Sequence, residues 1–518
     1  MKSDRKYLYW ICTCLIFLTF LVTRLWNLMT IPFGLHVDEA SMAYSAWSLA
    51  NFGVDRYLKS WPVYLINFDG GQSVLYCYLC AGLFKLFGYA PLLIRLPALF
   101  FSFLTLLFGM LLTGKLYPQK PWIPLTAGAL ITVCPYFILA GRFGLDCNLM
   151  LGMSTVFLYC FTCAIESGQY RWYLLAGGTG GLVLYTYAIS YLVLPLFLLL
   201  SFLYIIWTKK FSFTRWVSMA VPMGFLAFPL LLEQYINAFD KEEIKLGVFT
   251  VTRMATYRAV EIGRPRWIYF HQAMNCIFRG DGFAYNSVSG FRNLYWLTIP
   301  LAFTGILYLL FGLGKALKDR EFSSRFHPLF WFLAMILVES CLIANVNKIN
   351  GIFVVVILLA VEGILFWMKV CRRYGKVILI LCAIFYGAAF IRFGGYYYLG
   401  GYSEDHSSLS YFNVTVSEAL DYLEENPQYQ NKGLYIDGAP VYLALSMRRP
   451  PHEMLLGENQ KDFFDYYHCY IPEQIEQDHN YILRDTDGVY AEVLRDLGYQ
   501  EVKYTGYSLF CREQEEAK

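Results

Sequence analysis

The chain has 518 residues, of which 57% are apolar, 19% aromatic and only 16% charged, where ordinary soluble domains carry roughly a quarter. That is the composition of a membrane protein. The net charge of +3, with basic residues in short clusters between apolar runs, leaves no basic stripe for a nucleic-acid partner.

Lys2, Arg5 and Lys6 precede an apolar run from Tyr7 to about Val22, and no small-residue cleavage site follows. This reads as an uncleaved first span, with its basic flank in the cytoplasm and residues 24–73 outside. From Val37 to Asn51, Ala43, Trp47 and Ala50 recur at helical spacing and Gly53 follows as a stop. The pattern predicts a helix on the outer leaflet, with Trp47 and Tyr44 at the interface, Asp38 as N-cap and Glu39 in the first turn. Val74–Phe87 is about 14 residues, or roughly 21 Å as a helix, against a hydrocarbon core of about 30 Å. It reads as interfacial.

Further apolar runs lie at 91–116, 121–140, 147–165, 172–188, 190–207, 214–232, 293–313, 328–345, 350–368 and 376–392, about eleven spans with the first. This threading gathers Arg171, Lys209/Lys210/Arg215, Lys315/Lys318/Arg320/Arg325 and Lys369/Arg372/Arg373/Lys376 in the cytoplasm. Residues 24–90, about 233–292 and everything after about 393 then lie outside.

After Gly394 the composition changes. "NVTVSEALDYLEENPQYQNKGLYIDG" reads as amphipathic helix, turn and strand, and "YILRDTDGVYAEVLRDLGYQEVKYTGYSLFC" as strand, helix and two strands. The predicted fold class is therefore a polytopic α-helical membrane protein, residues 1–395, carrying a C-terminal extracytoplasmic α/β domain, residues 396–518. Asp485 and Asp487 beside Gly488 read as a turn. Most cysteines, including Cys134, Cys160, Cys163, Cys341 and Cys382, lie in apolar runs and act as small hydrophobes. Cys77-x-x-Cys80 reads as packing, and a pairing of Cys469 with Cys511 stays open.

Ionisable groups at a membrane boundary are costly, which makes those outside functional candidates. Asp38 and Glu39 are the first. Asp146 in "GRFGLDCNLML" falls at the outer end of the third span, where it also suits a cap, with Arg142 four residues before it. Lys348 in "NVNKINGIF" is a cation in a short outer turn, against the positive-inside bias, and a lipid phosphate supplies a reason for it. Arg24, Arg95, Arg279 and Arg292 are further outer cations, for most of which snorkelling to headgroups is an equal account.

These pieces resemble the GT-C glycosyltransferases of the protein O-mannosyltransferase and aminoarabinose-transferase type. The resemblance rests on the order of "RLWNLMTIPFGLHVDEA", "LIRLPALF", "GRFGLDCNL", "GDGFAYNSVSGFRNLYW" and "NKIN" over roughly residues 5–395. It implies a plasma-membrane enzyme that moves a sugar from a polyprenyl-phosphate carrier to an extracytoplasmic protein, lipid or wall glycan, inverting the anomeric centre. Asp38 would be the base, helped by Glu39 and Asp146. Arg142, Lys348, Asp281, Asn286 and Arg292 would hold the donor. The chain departs from the family at "DGGQSVLY", where Gln72 stands in place of a basic residue, and at Tyr285-Asn286, in place of Arg-His. No residue is assigned to a metal, and dependence on a divalent ion stays open. The rival readings are a transporter or flippase for lipid-linked saccharides, and a non-catalytic receptor. Against the first, the acids gather at one face and no internal repeat is evident.

Overall fold

A computed structural model describes residues 3–67, 70–255, 261–405, 411–429, 431–454 and 466–513. The chain opens with α1 (Ser3–Leu25), the two-residue strand β1 (Leu35–His36) and α2 (Val37–Phe52), then the hairpin β2 (Leu65–Asn67) and β3 (Gly70–Gln72). The helical body continues with α3 (Leu75–Phe87), α4 (Pro91–Leu116), α5 (Trp122–Val133), α6 (Pro135–Ala140), α7 (Asn148–Ser167), α8 (Tyr170–Leu184), α9 (Ser190–Trp207) and α10 (Phe213–Ala238). The hairpin β4 (Ile244–Leu246) and β5 (Phe249–Val251) and α11 (Trp267–Phe278) lead to α12 (Thr298–Asp319), α13 (His327–Glu339), α14 (Phe353–Val370) and α15 (Gly375–Tyr398).

Among the described residues, eight helices are long and apolar enough to cross a membrane, which makes this an integral membrane protein. The other three expected spans are helical but short. The run 121–140 is broken because residue 134, before Pro135, takes an extended ψ of 137°, as the proline ring demands of its predecessor. α8 has 15 residues and α13 only 13. α3, with 13 residues, is short as expected.

α7 and the stretch Asn350–Val370 lie at the centre of the body, whereas α1, α10 and α15 turn most of their apolar surface outward. Helices meet closely where glycine removes the side chain. A Cβ on Gly305 would stand 1.9 Å from the Leu359 carbonyl oxygen, and one on Gly363 equally close to that of Leu301, so α12 and α14 touch backbone to backbone. The basic clusters share one end of the body. There Lys115 pairs with Glu166 at 3.1 Å, Arg325 with Glu362 at 2.6 Å, and Trp207 donates to the Leu317 carbonyl. The acids of interest share the other end.

Beyond α15 lies a five-stranded sheet in the order β10 (Gln500–Tyr504), β11 (Tyr507–Cys511), β9 (His479–Leu483), β7 (Gly433–Ile436), β8 (Tyr467–His468). β7 runs parallel to β8 and β9, and β11 antiparallel to β9 and β10. Cys469 and Cys511 are free thiols. One strand leaves this domain for the helical body. β6 (Phe412–Asn413) pairs antiparallel with β1, His36 opposite Phe412, and the helix Pro440–Met447 packs on α2. α2 is accordingly not a surface helix on a leaflet. Ten of its residues, from Glu39 to Leu49, are buried, Tyr44 among them.

Candidate active site

The first turn of α2 corrects the expected cap. His36, not Asp38, is the N-cap: its Nδ1 accepts the Asp38 N–H at 3.2 Å, and Glu39 Oε2 accepts the His36 N–H at 2.8 Å. This is a reciprocal capping box with glutamate at its third position. The helix ends where predicted, on Gly53 with φ 73°, a left-handed conformation that favours glycine.

The two neighbouring carboxylates have separate fates. Glu39 is fully buried, accepting from Gly144 N at 2.6 Å and from Arg95 Nε at 3.1 Å. Arg95, equally buried, spends its remaining donors on the carbonyls of Leu28 and Gly34. Glu39 therefore ties α2, α4 and the 141–146 loop together and has no open face. Asp38 keeps 31% of its side chain exposed. Its Oδ1 accepts from Asn67 Nδ2 at 3.1 Å, and its Oδ2 lies 3.6 Å from His36 Nδ1. Asn67 in turn accepts from Arg56 at 2.9 Å and Ser41 at 2.8 Å, which puts a cation one residue away from Asp38.

Asp146 stands before α7, where its Oδ1 accepts the Cys147 N–H and its Oδ2 the Ser73 N–H at 3.1 Å. The second contact fixes the end of the β2–β3 hairpin against α7. Asp281 accepts from Val346 N at 3.0 Å and Asn286 Nδ2 at 2.9 Å, joining the 281–286 loop to the turn that carries Lys348. Burial pushes the Asp281 carboxyl above its ordinary range, against the pull of these donors. The Cys147 thiol is also pushed up, by burial first and then by Asp146, Asp38 and Asp281 together. Three carboxylates from three segments thus converge on the start of α7. Tyr285 closes the group, its ring 4.3 Å from that of His36.

The cations divide. Arg142 is fully buried and donates to the carbonyls of Thr23, Arg24, Asn27 and Ile31 and to Tyr397 Oη. Its five donations lock the end of α1 and leave no donor for a phosphate. Arg24 and Arg95 are likewise buried on carbonyls and do not snorkel. Arg292 lies over the Trp296 ring at 3.4 Å, and no described contact joins it to the acids. Gln72 is buried on β3 opposite Leu65. Lys348 pairs with Glu261 at 2.7 Å. It lines a cavity of about 140 Å³ with Tyr64, Gly71, Tyr187, Tyr191 and Glu233. Gly71 on its wall lies two residues before Ser73, whose N–H donates to Asp146, so this cavity adjoins the acids.

Glu476, Asp478 and His479 bring ligand atoms within 4.8 Å of one another, but in the C-terminal domain. Lys432 sits 2.8 Å from Asp478 there and, with His479, holds that carboxyl down to about 2. Among the described residues Asp38, Asp146 and Asp281 form no such set.

No protein-family model matches the chain, and no curated protein does. Solved structures do. ArnT from Cupriavidus metallidurans bound to undecaprenyl phosphate superposes with a TM-score of 0.55 at 10% identity, over 99% of this chain and 98% of that one. The same protein in its apo state gives 0.50 at 12%, over 98% of both. The oligosaccharyltransferase of Archaeoglobus fulgidus, in complex with zinc and sulfate, gives 0.50 at 14%, over 85% of this chain and 61% of that one. The chain has the GT-C fold.

Within this GT-C body, Asp38, Asp146, Asp281 and Asn286 come together as a group, and Lys348 reaches the adjoining cavity. Glu39, Arg142 and Gln72 serve the scaffold around it. Sequence reasoning missed His36, Asn67 and Arg56. Only His36 left a signal, since a polar residue three before Glu39 is the spacing of a capping box.

Proposed function

We propose that the protein is a membrane glycosyltransferase that takes a sugar from a polyprenyl-phosphate carrier. The undecaprenyl phosphate held by the ArnT structure supports the carrier class. One observation carries the reading of the site: of two adjacent carboxylates, one is sealed in an ion pair while the other stands open where α2, the β2–β3 hairpin, α7 and the 281–286 loop meet. In this reading Asp38 takes the proton of the incoming acceptor hydroxyl. The acceptor oxygen forms a bond to the anomeric carbon. The bond from that carbon to the carrier phosphate breaks, and its electron pair leaves with the phosphate. Asn67 and His36 orient the carboxylate, and Asp146 and Asp281 hold the loops that shape the acceptor's approach. Lys348 and Arg56 supply positive charge for the departing phosphate, as electrostatic stabilisation of a leaving group requires. Attack opposite the phosphate inverts the anomeric centre, and the acceptor lies on the extracytoplasmic side.

Release of polyprenyl phosphate from labelled donor by the purified protein tests this. Asp38→Asn preserves volume and the Asn67 contact but removes the proton acceptor, so turnover falls about 100-fold or more, with unfolding unchanged. Parent-rate transfer by a correctly inserted Asp38→Asn protein ends the general-base reading.

A further inference from the structure

The end of the body opposite the acids holds two adjoining cavities that the proposed reaction does not use. The first, about 280 Å³, is polar and lined by Glu166, Lys210, Ser323, Ser324 and Arg325. The second, about 610 Å³, is a groove lined by Tyr117, Lys120, Trp122, Tyr308, Met368 and Lys369. Arg325 and Leu116 line both and form the wall between them.

Charge is out of balance here. Glu362 is answered by Arg325 and Glu166 by Lys115, whereas Lys120, Lys210 and Lys369 have no carboxylate at ion-pair distance among the described residues. Arg325 commits Nε and Nη2 to Glu362 and Tyr117 and makes no described hydrogen bond through Nη1. The Ser324 hydroxyl, on a residue 4% exposed, also has no partner among the described residues. Three lysines without a carboxylate, of which Lys369 lies over the Tyr308 ring at 5.8 Å, a spare guanidinium donor and an unused buried hydroxyl together suit an anion with polar groups of its own. The groove beside them offers indole, phenol and thioether surface, where an acyl chain and its ester region would lie. A cationic polar pocket and an apolar groove thus adjoin at one end of the body, the arrangement by which basic pockets between membrane helices take anionic lipid headgroups.

We propose that this junction binds an anionic phospholipid: the phosphate lies against Arg325, Lys120 and Lys369, the polar headgroup enters the Ser323/Ser324 pocket beside Lys210, and the chains run along Trp122, Tyr308 and Met368. Such a lipid neutralises the face at which α4, α5, α12 and α14 meet and braces the Arg325–Glu362 pair between α14 and the start of α13.

The test uses the full chain in nanodiscs of phosphatidylcholine with or without phosphatidylglycerol, read by native mass spectrometry of retained lipid and by the unfolding temperature. The parent retains phosphatidylglycerol and gains stability from it. Lys120→Gln/Lys210→Gln/Lys369→Gln touches only exposed side chains and spares the Arg325–Glu362 pair, so the protein folds. It loses retention by about fivefold per lysine, together with the stability gain. Lys315→Gln/Lys318→Gln, on exposed lysines of the same end outside the cavities, leaves both unchanged. Equal losses in the two variants reduce the effect to surface charge and overturn the site, as does full retention by the cavity variant. A stability gain from inorganic phosphate equal to that from phosphatidylglycerol overturns the lipid as occupant in favour of a soluble anion.

Discussion

The two sides of the first turn of α2 are built differently. On one, Glu39 and Arg95 make a knot with no exposed side-chain surface, closed by the backbone of Gly34, Leu28 and Gly144. On the other, Asp38 meets Asn67 and His36 at a partly open mouth, beneath a two-residue strand contributed by the C-terminal domain. A sealed ion pair holds geometry because removing one partner strands the other charge in a dry place. A partly open carboxylate can exchange a neighbour for a substrate with little desolvation. The same dipeptide thus supplies the brace and, in the proposed reading, the reactive group.

Breaking the sealed side has the largest effect. Glu39→Ala leaves Arg95 buried without its anion and Gly144 N without an acceptor, a loss of about 3–5 kcal/mol that chemical unfolding in detergent measures. A Glu39→Ala protein as stable as the parent removes the distinction between the two sides.

The next test separates α2 from the domain above it. Reading the sequence alone, every candidate group lies before residue 402, and removal of the tail is expected to spare the reaction. The structure argues otherwise: β6 pairs with β1, Tyr442 donates to the Leu35 carbonyl at 2.9 Å, and Phe412 stacks on Phe143. A chain ending at Asp405 that inserts and stays monodisperse loses turnover by about 100-fold, the scale of a misplacement of about 1 Å. Parent activity from such a chain returns the tail to a separate role.

Smaller effects belong to the mouth of the cavity. Glu261 pairs with Lys348 at 2.7 Å, so Glu261→Gln frees the ammonium and tightens apparent donor affinity by up to about fivefold, the ceiling for an exposed pair. Lys348→Met acts in the opposite direction, on KM, kcat or both. A donor titration in which the two changes have the same sign rejects the assignment.

The smallest expected effect is a pH slope at the open side. Burial lowers the His36 pKa, opposed by Asp38 and Glu39, while Tyr285 and Phe412 face the ring without charge at neutral pH. The unfolded chain then binds a proton that the folded chain resists, so this contribution to stability is complete above about pH 6.5 and declines as the pH falls below it. His36→Asn keeps a capping acceptor and flattens that part of the pH–stability curve. An unchanged slope shows that His36 does not carry it.

The apolar runs, the lengths of eight of the eleven and the clustering of basic residues between them were legible in the chain because hydropathy and bilayer thickness act locally, residue by residue. So were the helix expected over Val37–Asn51 with its glycine stop, the short Val74–Phe87 segment and the α/β character of the end, whereas the break before Pro135 was not, the run 121–140 having read as one span. What each polar residue does was decided by tertiary structure. Arg142 looks like a phosphate ligand until four carbonyls from residues more than a hundred positions away surround it. Asp38 and Glu39 are equivalent in sequence, and only the arrival of Arg95 on one side and Asn67 on the other tells them apart. Arg56 lies in a loop and Asn67 ends the three-residue strand β2, segments too short for a periodicity to mark them. Side-chain chemistry limits what a residue can do, but burial and partners select among those roles, and partners come from segments that no local pattern connects.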